Sequence, residues 1–499
     1  MELILQGHRF RYETENICRL FLPQESIHVA ETLSAETAEG VVAYACLQKE
    51  AAVTTLRARI VWEDFDETLT ETVDNTCATY EDTCELQLCT LLYRLFVRLF
   101  GFEQSWGIVT GVRPVKLLRH LAKEQGEEEA LRYFRETLLV NDQKLSLCRN
   151  TLHTENKLLS LSQDHSFSLY ISIPFCPTRC DYCSFVSRTV ERAGKLIPAY
   201  VDALCEEIAH TGRIAKSLGL RLETVYFGGG TPTSLEAPDL ARLIKAVEHH
   251  FDLSHLREYT IEAGRPDTVT PEKLRTLKAG GVTRISINPQ TLQNKVLAAI
   301  GRKHTVEQFY QAFDMARQCG HTNINTDLIA GLPEDTYEGF QQTLQGILAL
   351  SPESVTVHTL SMKRASNLVV QHRADYRGGN EASQMVSFSG TALTNAGYHP
   401  YYLYRQSRCV GGQENVGWSK PGYEGLYNVF IMDETHTILG CGAGAVSKLK
   451  QPGENYLERI FNYKFPYEYN TGLAELLKRK EQVIAFYEQY GIRANSHLA

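Results

Sequence analysis

The sequence predicts an α/β protein whose central part is a partial (β/α)6 barrel, flanked by two α+β regions. In the middle of the chain, six short β-prone runs alternate with helical patterns, which is typical of parallel strands joined by crossover helices. Polar and glycine-rich motifs follow these runs, at the strand ends where barrels carry their chemistry. The flanking regions lack this alternation, so we divide the chain into residues 1–165, 166–380 and 381–499.

The first region has the pattern of a separate α+β domain. β-prone runs at 41–47 and 53–62 precede a helix in which leucine and phenylalanine recur at helical spacing up to Gly101, a residue type common at helix ends. The segment from Trp106 to Pro114 then breaks the helix, and Pro114 is placed to open the next one. The sequence of this region does not indicate an activity.

The central region carries the repeated strand and helix units. Its first crossover helix is predicted from apolar residues at helical spacing between Ile197 and Ile208, with an end near Gly219. The six predicted strands lie at 168–173, 224–227, 258–261, 284–287, 323–328 and 354–359. From about Glu381 onward we expect a smaller α+β module that covers the open side of the barrel.

Three cysteines follow the first predicted strand in a C-x3-C-x2-C pattern, at Cys176, Cys180 and Cys183. This spacing brings three thiolates around one centre and leaves a four-iron cluster one protein ligand short, so that one iron can bind another molecule. A zinc site without its fourth ligand and three buried thiols are the alternatives. A zinc finger ordinarily shows a second pair of ligands nearby, and none is visible here, so the pattern favours a [4Fe-4S] cluster.

A glycine run, Gly-Gly-Gly-Thr-Pro at 228–232, follows the second predicted strand. Glycine lets the backbone approach a ligand closely, and the exposed amide and carbonyl groups can bind a charged amino acid head. Most glycine runs are only turns, but the position between a strand and a proline favours a ligand contact here.

These motifs together resemble the radical S-adenosylmethionine (SAM) superfamily, and specifically its anaerobic coproporphyrinogen III oxidase-like branch. The resemblance covers about 167–448 and is most similar to the HemZ-type coproporphyrinogen dehydrogenase family, which carries an N-terminal extension of this kind. It rests on Tyr-x-x-Ile-Pro-Phe-Cys-x-x-x-Cys-x-Tyr-Cys at 170–183, Gly-Gly-Gly-Thr-Pro-Thr at 228–233, Glu262, Gln290, Gly301-Arg302, and Asp327 within 325–333.

The resemblance implies the cofactors and the first set of contacts. The three cysteines would hold the [4Fe-4S] cluster, and SAM would bind its open iron. The methionyl group of SAM would be contacted by Gly229, Gly230 and Thr231.

Four polar residues complete the implied SAM site. Arg302 would pair with the SAM carboxylate, and Glu262, Gln290 and Asp327 would bind the remaining polar atoms, including the ribose hydroxyls. A structural ion pair at the barrel rim is the alternative for Arg302 and Asp327.

The resemblance also implies a reaction. One electron from the reduced cluster cleaves SAM, and the resulting 5′-deoxyadenosyl radical takes a hydrogen atom from a porphyrinogen propionate, which loses carbon dioxide and an electron to become a vinyl group. Tyr170 matches a tyrosine that the family needs and is assigned a supporting catalytic role near the cluster; an ordinary barrel aromatic is the alternative. The implied partners are a small-molecule porphyrinogen and an electron donor such as flavodoxin or ferredoxin.

Two positions depart from the family pattern. Phe185 stands where anaerobic coproporphyrinogen oxidases carry a further cysteine, and Ser172 stands where they carry a histidine. Their N-terminal segment, which helps to shape the substrate site, is replaced here by a longer and unrelated region. The SAM motifs are intact, while the departures leave the substrate open.

Two other functions are compatible with the same barrel. Haem chaperones related to the family hold haem with a His-Asn-x-x-Tyr-Trp motif, and this chain has Glu414 at the position of the histidine. Glutamate is a poorer haem ligand than imidazole, and the nearest substitutes are His358, His399 and His436. The second alternative is an RNA-modifying radical enzyme whose N-terminal region presents the nucleic acid.

The composition fits an enzyme of the cytoplasm. A formal net charge of -8 argues against general nucleic-acid binding, since phosphate contacts need an excess of Lys and Arg. Thirteen cysteines without a framework fit a reducing compartment, and no apolar stretch reaches membrane-spanning length. Basic residues near the motifs are candidates for binding carboxylates: Arg265, Arg302, Lys303, Lys363, Arg364, Arg405 and Arg408.

Overall fold

The computed structural model describes residues 1–32, 40–185, 187–363, 366, 368, 379–406, 408–492 and 494 of the 499-residue chain. The chain forms two compact units. The first comprises Met1–Arg149 and Arg405–Gln413, and the second comprises Asn150–Tyr404 and Glu414–Ala499. The three-part division at 165 and 380 stays a prediction. No helix of the described residues is both long enough and apolar enough to cross a membrane.

The first unit is built on a five-stranded sheet. Its strands are β1 (Glu2–Gln6), β2 (His28–Ala30), β3 (Val42–Lys49), β4 (Val53–Trp62) and β5 (Phe65–Asp74). They lie in the order β2-β1-β3-β4-β5, with β1 parallel to its neighbours and β3 to β5 antiparallel. The two predicted runs are confirmed as β3, a continuous apolar run, and β4, in which buried residues alternate with more exposed ones. β5 was not predicted, because Val73 is its one buried residue.

Helix α2 (Tyr80–Phe100) covers this sheet, and two predicted helix boundaries are confirmed. α2 packs against β4 and β5 and ends at Gly101, whose φ of 72° is left-handed. Pro114 opens the next helix, as predicted. The helices are α1 (Arg11–Phe21), α2 (Tyr80–Phe100), α3 (Pro114–Gln125), α4 (Glu127–Arg132) and α5 (Asp142–Leu159), and a π-helical turn (Tyr133–Thr137) follows α4.

The second unit contains the predicted partial (β/α)6 barrel. Six parallel strands, β6 and β9 to β13, lie side by side in chain order and match the six predicted runs. The strands up to this point are β6 (Ser166–Ile173), β7 (Phe175–Cys176), β8 (Arg188–Thr189), β9 (Arg221–Gly229), β10 (Glu258–Glu262), β11 (Arg284–Ser286), β12 (Ile324–Ala330) and β13 (Ser354–Thr359). Their residues are buried on both faces, which is typical of parallel strands under helices.

Strands from the C-terminal part of the chain join the same sheet. β15 pairs antiparallel with β13 at one side, and β16 pairs parallel with β6 at the other. These later strands are β14 (His399–Arg405), β15 (Glu414–Ser419), β16 (Thr437–Cys441), β17 (Val446–Lys450) and β18 (Leu457–Phe461).

The helices of the second unit connect these strands. The first long crossover helix, α7, and the left-handed turn at Gly219 after it confirm the predicted pattern. The helices are α6 (Val190–Ala193), α7 (Ile197–Ser217), α8 (Ala237–His250), α9 (Pro271–Ala279), α10 (Asn294–Ala299), α11 (Val306–Gln318), α12 (Tyr337–Leu350), α13 (Gly379–Asn395), α14 (Leu426–Asp433), α15 (Pro466–Thr471), α16 (Leu473–Lys480) and α17 (Gln482–Gln489).

Candidate active site

The three cysteines lie in one loop at the carboxyl end of β6. Cys176 ends the short strand β7, and the Cys183 amide donates to the Cys180 carbonyl at 3.1 Å, which folds the loop back on itself. Cys180 is buried, whereas Cys176 and Cys183 are half-buried. Burial raises the pKa of the Cys176 thiol and raises that of Cys183 to about 11. Among the described residues, no group of three or more His, Cys, Asp and Glu is placed to hold a single metal ion.

The glycine run packs directly on this cysteine loop. The Gly230 amide donates to the Ile173 carbonyl at 2.8 Å, and the Thr231 amide donates to the Phe175 carbonyl at 2.8 Å. A Cβ on Gly230 would lie 2.6 Å from the Phe175 carbonyl oxygen and 2.9 Å from the Cys176 Sγ, so only glycine fits. The Thr231 hydroxyl lies 3.6 Å from the same sulfur. The run therefore joins the second barrel strand to the cysteine loop.

Glu262 is the last residue of β10, and Gln290 lies shortly after β11. The Tyr226 hydroxyl donates to Glu262 Oε1 at 2.5 Å, and burial raises the pKa of Glu262 to about 7. Gln290 is buried with a φ of 69°, a left-handed conformation that non-glycine residues rarely adopt. Its side-chain oxygen is buried without a hydrogen-bond partner among the described residues. A strained residue with an unsatisfied acceptor is typical of a ligand site.

Arg302 and Asp327 do not form the ion pair that was the alternative for them. Arg302 is buried and donates to the Asn288 carbonyl at 2.8 Å and to the Tyr182 hydroxyl at 3.1 Å. Tyr182 lies between Cys180 and Cys183, so the guanidinium is fixed to the cysteine loop. Among the described residues, no carboxylate pairs with Arg302.

Asp327 is fixed by two amide side chains. Asn288 Nδ2 donates to its Oδ2 at 2.8 Å, and Asn325 Nδ2 donates to its Oδ1 at 2.7 Å. Burial alone raises the pKa of Asp327, but His358 and the neighbouring hydrogen-bond donors outweigh it and hold the pKa below its ordinary value. The barrel therefore contains two acids, Glu262 and Asp327, whose pKa values are moved in opposite directions.

Arg265 is a basic candidate that contacts the cysteine loop. It is buried, and its Nη1 lies 3.7 Å from the Cys180 Sγ and 3.0 Å from the Thr178 hydroxyl. Asp267 pairs with the same guanidinium through two contacts of 2.9 and 2.8 Å. Lys303 and Lys363 have no such contact, and Arg364 lies outside the described residues. Arg405 and Arg408 belong to the first unit, where Arg405 donates to the Val109 and Gly412 carbonyls.

Tyr170 lies in a cluster of three tyrosine rings. It stacks on Tyr427 at 6.1 Å and on Tyr226 at 6.3 Å, while the rings of Tyr226 and Tyr427 are 4.4 Å apart. Burial and the nearby Glu262 raise the pKa of Tyr170. Tyr226 and Tyr427 were not predicted, because a tyrosine in a strand or in a distant helix carries no motif.

The three histidines considered as haem ligands have different surroundings. Both ring nitrogens of His436 contact serine hydroxyls, Ser162 at 2.8 Å and Ser168 at 2.7 Å, and burial lowers the His436 pKa to about 3. His399 contacts Glu424 at 2.8 Å. His358 is the one of the three that lies beside a candidate SAM residue, with its Nε2 3.7 Å from Asp327 Oδ2.

These observations fit an iron–sulfur cluster with a bound SAM. Three thiols share one loop, a glycine cradle lies against that loop, and the buried Gln290 oxygen lacks a partner within the described part of the chain. Cysteine thiolates are the ordinary ligands of such clusters.

Comparison with known proteins defines the class and then the family. A sequence profile described as the Radical SAM superfamily matches residues 170–347, the stretch that contains the cysteine loop and all the predicted SAM contacts. The fold and site are thus those of a radical SAM protein. The oxygen-independent coproporphyrinogen-III oxidase-like protein HemZ of Bacillus subtilis (strain 168) is 41% identical over 394 residues, covering 77% of this chain and 78% of the relative.

Other relatives and a solved structure agree with this placement. The haem chaperone HemW of the same organism is 30% identical over 310 residues, covering 60% of this chain and 77% of the relative. The structure of coproporphyrinogen III oxidase (HemN) from Escherichia coli shares the fold, with a TM-score of 0.51 and 23% identity over 65% of this chain and 72% of that chain. This chain belongs to the oxygen-independent coproporphyrinogen III oxidase-like family of radical SAM enzymes, and its cofactors are a [4Fe-4S] cluster and SAM.

Proposed function

We propose that this enzyme oxidatively decarboxylates the propionate groups of coproporphyrinogen III, or of a closely similar porphyrinogen, without oxygen. The similarity to HemZ over most of both chains carries the proposal. The tyrosine cluster of Tyr170, Tyr226 and Tyr427 supports it, since stacked rings beside the candidate SAM residues offer a flat apolar surface to a substrate made of pyrrole rings.

We infer that both cofactors bind at one end of the barrel. We assign Cys176, Cys180 and Cys183 to the cluster. Gly230 has no side chain that would push its backbone away from the cysteine loop, and Gly229 and Thr231 would contact the methionyl group of SAM from the same turn.

Arg302 and Gln290 supply the matching polar groups. Arg302 has no carboxylate partner among the described residues, so its guanidinium can pair with the SAM carboxylate. Gln290 offers an unsatisfied buried oxygen. Asp327, held ionised by its neighbours, is suited to accept hydrogen bonds from hydroxyls, whereas Glu262 titrates near neutral pH and can either donate or accept.

When bound, the reduced cluster and SAM supply a radical that takes one hydrogen atom from the propionate carbon next to the ring. The substrate then loses carbon dioxide and gives one electron to a one-electron acceptor, and a vinyl group remains. The protein's own task is to exclude water and to fix the propionate against the tyrosine cluster. We assign Tyr170 this supporting role.

A one-electron protein donor such as flavodoxin or ferredoxin would reduce the cluster, and a reducing compartment such as the cytoplasm would preserve it. The thirteen cysteines support that location, because none of them forms a disulfide.

Haem transport is the second candidate function, favoured by the similarity to HemW. Glu414, at the position of the chaperone histidine, is buried in β15, and His399 and His436 are engaged by neighbours. We therefore expect no stoichiometric haem complex with an imidazole-type spectrum. Haem that survives gel filtration on the wild-type protein, and is lost in His358→Ala, would favour transport instead.

An anaerobic assay tests the proposed reaction. Reconstituted protein receives coproporphyrinogen III, SAM and a reductant, and vinyl formation is followed by mass spectrometry. We expect vinyl products with the wild type and none with a variant in which the three cysteines are alanine. If SAM is cleaved and the porphyrinogen stays intact, the substrate assignment is wrong while the radical SAM chemistry stands.

A further inference from the structure

The first unit contains a cleft that the barrel chemistry does not use. Its volume is about 380 Å³, within the range of small-molecule sites. It is lined by the end of α2, the segment after it, the π-helical turn, and the residues that follow this turn. The lining residues that bear on its chemistry are Tyr93, Arg94, Arg98, Glu103, Arg135 and Leu139.

Three guanidinium groups line this cleft and retain free donors. Arg98 uses one nitrogen to contact Glu67 at 2.8 Å, and Arg135 uses one to contact Asp142 at 2.8 Å. Both pairs are solvent-exposed, so they are weak and open easily. Arg94 is exposed and has no carboxylate partner in the described ranges. Since a guanidinium has five N–H donors, all three can bind an anion without losing their present contacts.

The backbone beside these groups has two unusual conformations. Arg135 is presented by a π-helical turn, a feature frequent at functional sites. Leu139 has a φ of 59°, which a bulky side chain rarely adopts. Hydrogen bonds from the Val140 amide to the Phe134 carbonyl and from the Ile108 amide to the Leu138 carbonyl, both 3.0 Å, fix this turn.

The turn is held by the Trp106–Pro114 segment, a motif that the barrel reaction leaves unexplained. Gly107 has a φ of 51°, and a Cβ at this position would lie 2.1 Å from the Leu138 carbonyl oxygen and 2.4 Å from that of Leu139. Any other residue would push the turn away and change the wall of the cleft. The motif therefore shapes the cleft.

We propose that this cleft binds a small molecule with at least two anionic groups, either carboxylates or phosphates, through Arg94, Arg98 and Arg135. Guanidinium groups recognise both kinds of oxyanion in a bidentate manner, so this shared chemistry defines the ligand class. Glu103, a carboxylate in the lining, would select for a ligand that also carries a hydrogen-bond donor. The proposal does not depend on the reaction assigned to the barrel.

Calorimetric titration of the full-length holoprotein tests the proposal, with SAM present so that the open iron is occupied. Pyrophosphate and glutarate serve as the phosphate and carboxylate probes. We expect saturable binding of at least one probe, weakened about tenfold or more in Arg94→Gln/Arg135→Gln, because two bidentate contacts are lost. The matched control is Arg132→Gln, an exposed arginine paired with Glu129 outside the cleft, for which we expect less than about a twofold change.

The stronger probe assigns the ligand as a phosphate or a carboxylate. Arg94→Gln alone, at an exposed position, keeps the test decisive if the double variant does not fold, and it too must weaken binding. The absence of saturable binding by both probes overturns the proposal. So does an equal loss in the Arg132→Gln control, which would indicate general surface charge.

Discussion

Two acidic residues at the site show what a sequence motif can and cannot predict at the scale of single residues. The motifs predicted Glu262 and Asp327 as SAM contacts; Glu262 ends β10, whereas Asp327 lies in the middle of β12. Their pKa values move apart because Glu262 is buried beside a tyrosine, while Asp327 is surrounded by donors from three separate strands and loops. No spacing in the sequence encodes those neighbours.

Glu262 should make stability depend on pH. Burial raises its pKa from the ordinary 4.5 to about 7, so the folded protein binds a proton that the unfolded chain has released between these values. The contribution to stability is present below the unfolded pKa and is lost as pH rises toward 7. In Glu262→Gln this loss is absent. We expect the melting temperature of the variant, relative to wild type, to increase from pH 5 to pH 7.5 in thermal scans, by about a few degrees.

A constant difference between the two proteins across that pH range would contradict the raised pKa. Asp252→Asn is a suitable control, because this carboxyl is on the surface and its pKa is lowered, so its titration lies below the window.

Arg302 should contribute to SAM binding without contributing to cluster retention. Arg302→Gln keeps a hydrogen-bond donor but removes the charge, and losing a charged partner in a desolvated site costs about 2–5 kcal/mol. SAM affinity, measured by equilibrium dialysis on the reconstituted protein, should therefore fall steeply while the iron content is unchanged. Lys303→Gln, at the exposed next position, is the control and should leave the affinity intact. Equal affinities in all three proteins would assign Arg302 a purely structural role.

At the scale of elements, the sequence predicted what local patterns encode. Alternating β-prone runs and apolar helical spacing predicted β3, β4, α7 and the six barrel strands. Contacts made by the C-terminal part of the chain could not be predicted, because they depend on which sheet edge receives each later strand. Tyr427 reaches the tyrosine cluster from α14 for this reason, and Ser172 is held by the Ala443 carbonyl at 2.8 Å.

The glycine run leaves no room for a side chain where it packs on the cysteine loop. Gly230→Ala would place a methyl group 2.6 Å from the Phe175 carbonyl oxygen, so the loop must shift away. We expect loss of most of the cluster absorbance after anaerobic reconstitution. Gly264→Ala is the matched control, since its new Cβ would meet the Asn288 side chain at 3.4 Å, an ordinary contact. Full cluster content in Gly230→Ala would show that the cysteine loop adapts freely.

A buried ion pair lies beside the turn that follows β16. Lys480 on α16 lies 3.0 Å from Glu207 on α7, and both side chains are buried. Glu207 also accepts from the Gly442 amide at 2.6 Å and from the Tyr469 hydroxyl at 2.5 Å. The network ties the C-terminal helices to the turn after β16.

Removing one partner of this pair should be costly. Lys480→Met leaves the Glu207 charge buried without its cation, which typically costs about 3–5 kcal/mol of unfolding free energy. Denaturant titration of the apoprotein should show this loss, and the additional change Glu207→Gln should restore part of it. The exposed Lys478→Met should be neutral. If the single and double variants are equally destabilised, the pair is not coupled.

At the scale of the whole molecule, short motifs that the structure brings to one site identify the cofactors and the family. The same motifs do not identify the substrate. The fold and the position of the cysteine loop after the first barrel strand were predicted, because each is encoded within a short segment. The substrate is recognised by surfaces assembled from distant segments, and Phe185 and Ser172 mark where this chain departs from its relatives.

Isotope transfer distinguishes hydrogen abstraction from the porphyrinogen from SAM cleavage without a substrate. Coproporphyrinogen III deuterated at the propionate carbon next to the ring is incubated anaerobically with reconstituted enzyme, SAM and reductant, and the 5′-deoxyadenosine is examined by mass spectrometry. The proposed reaction predicts deuterium in the 5′-deoxyadenosine together with vinyl products. Deuterium-free 5′-deoxyadenosine, formed at the same rate with and without the porphyrinogen, would contradict it.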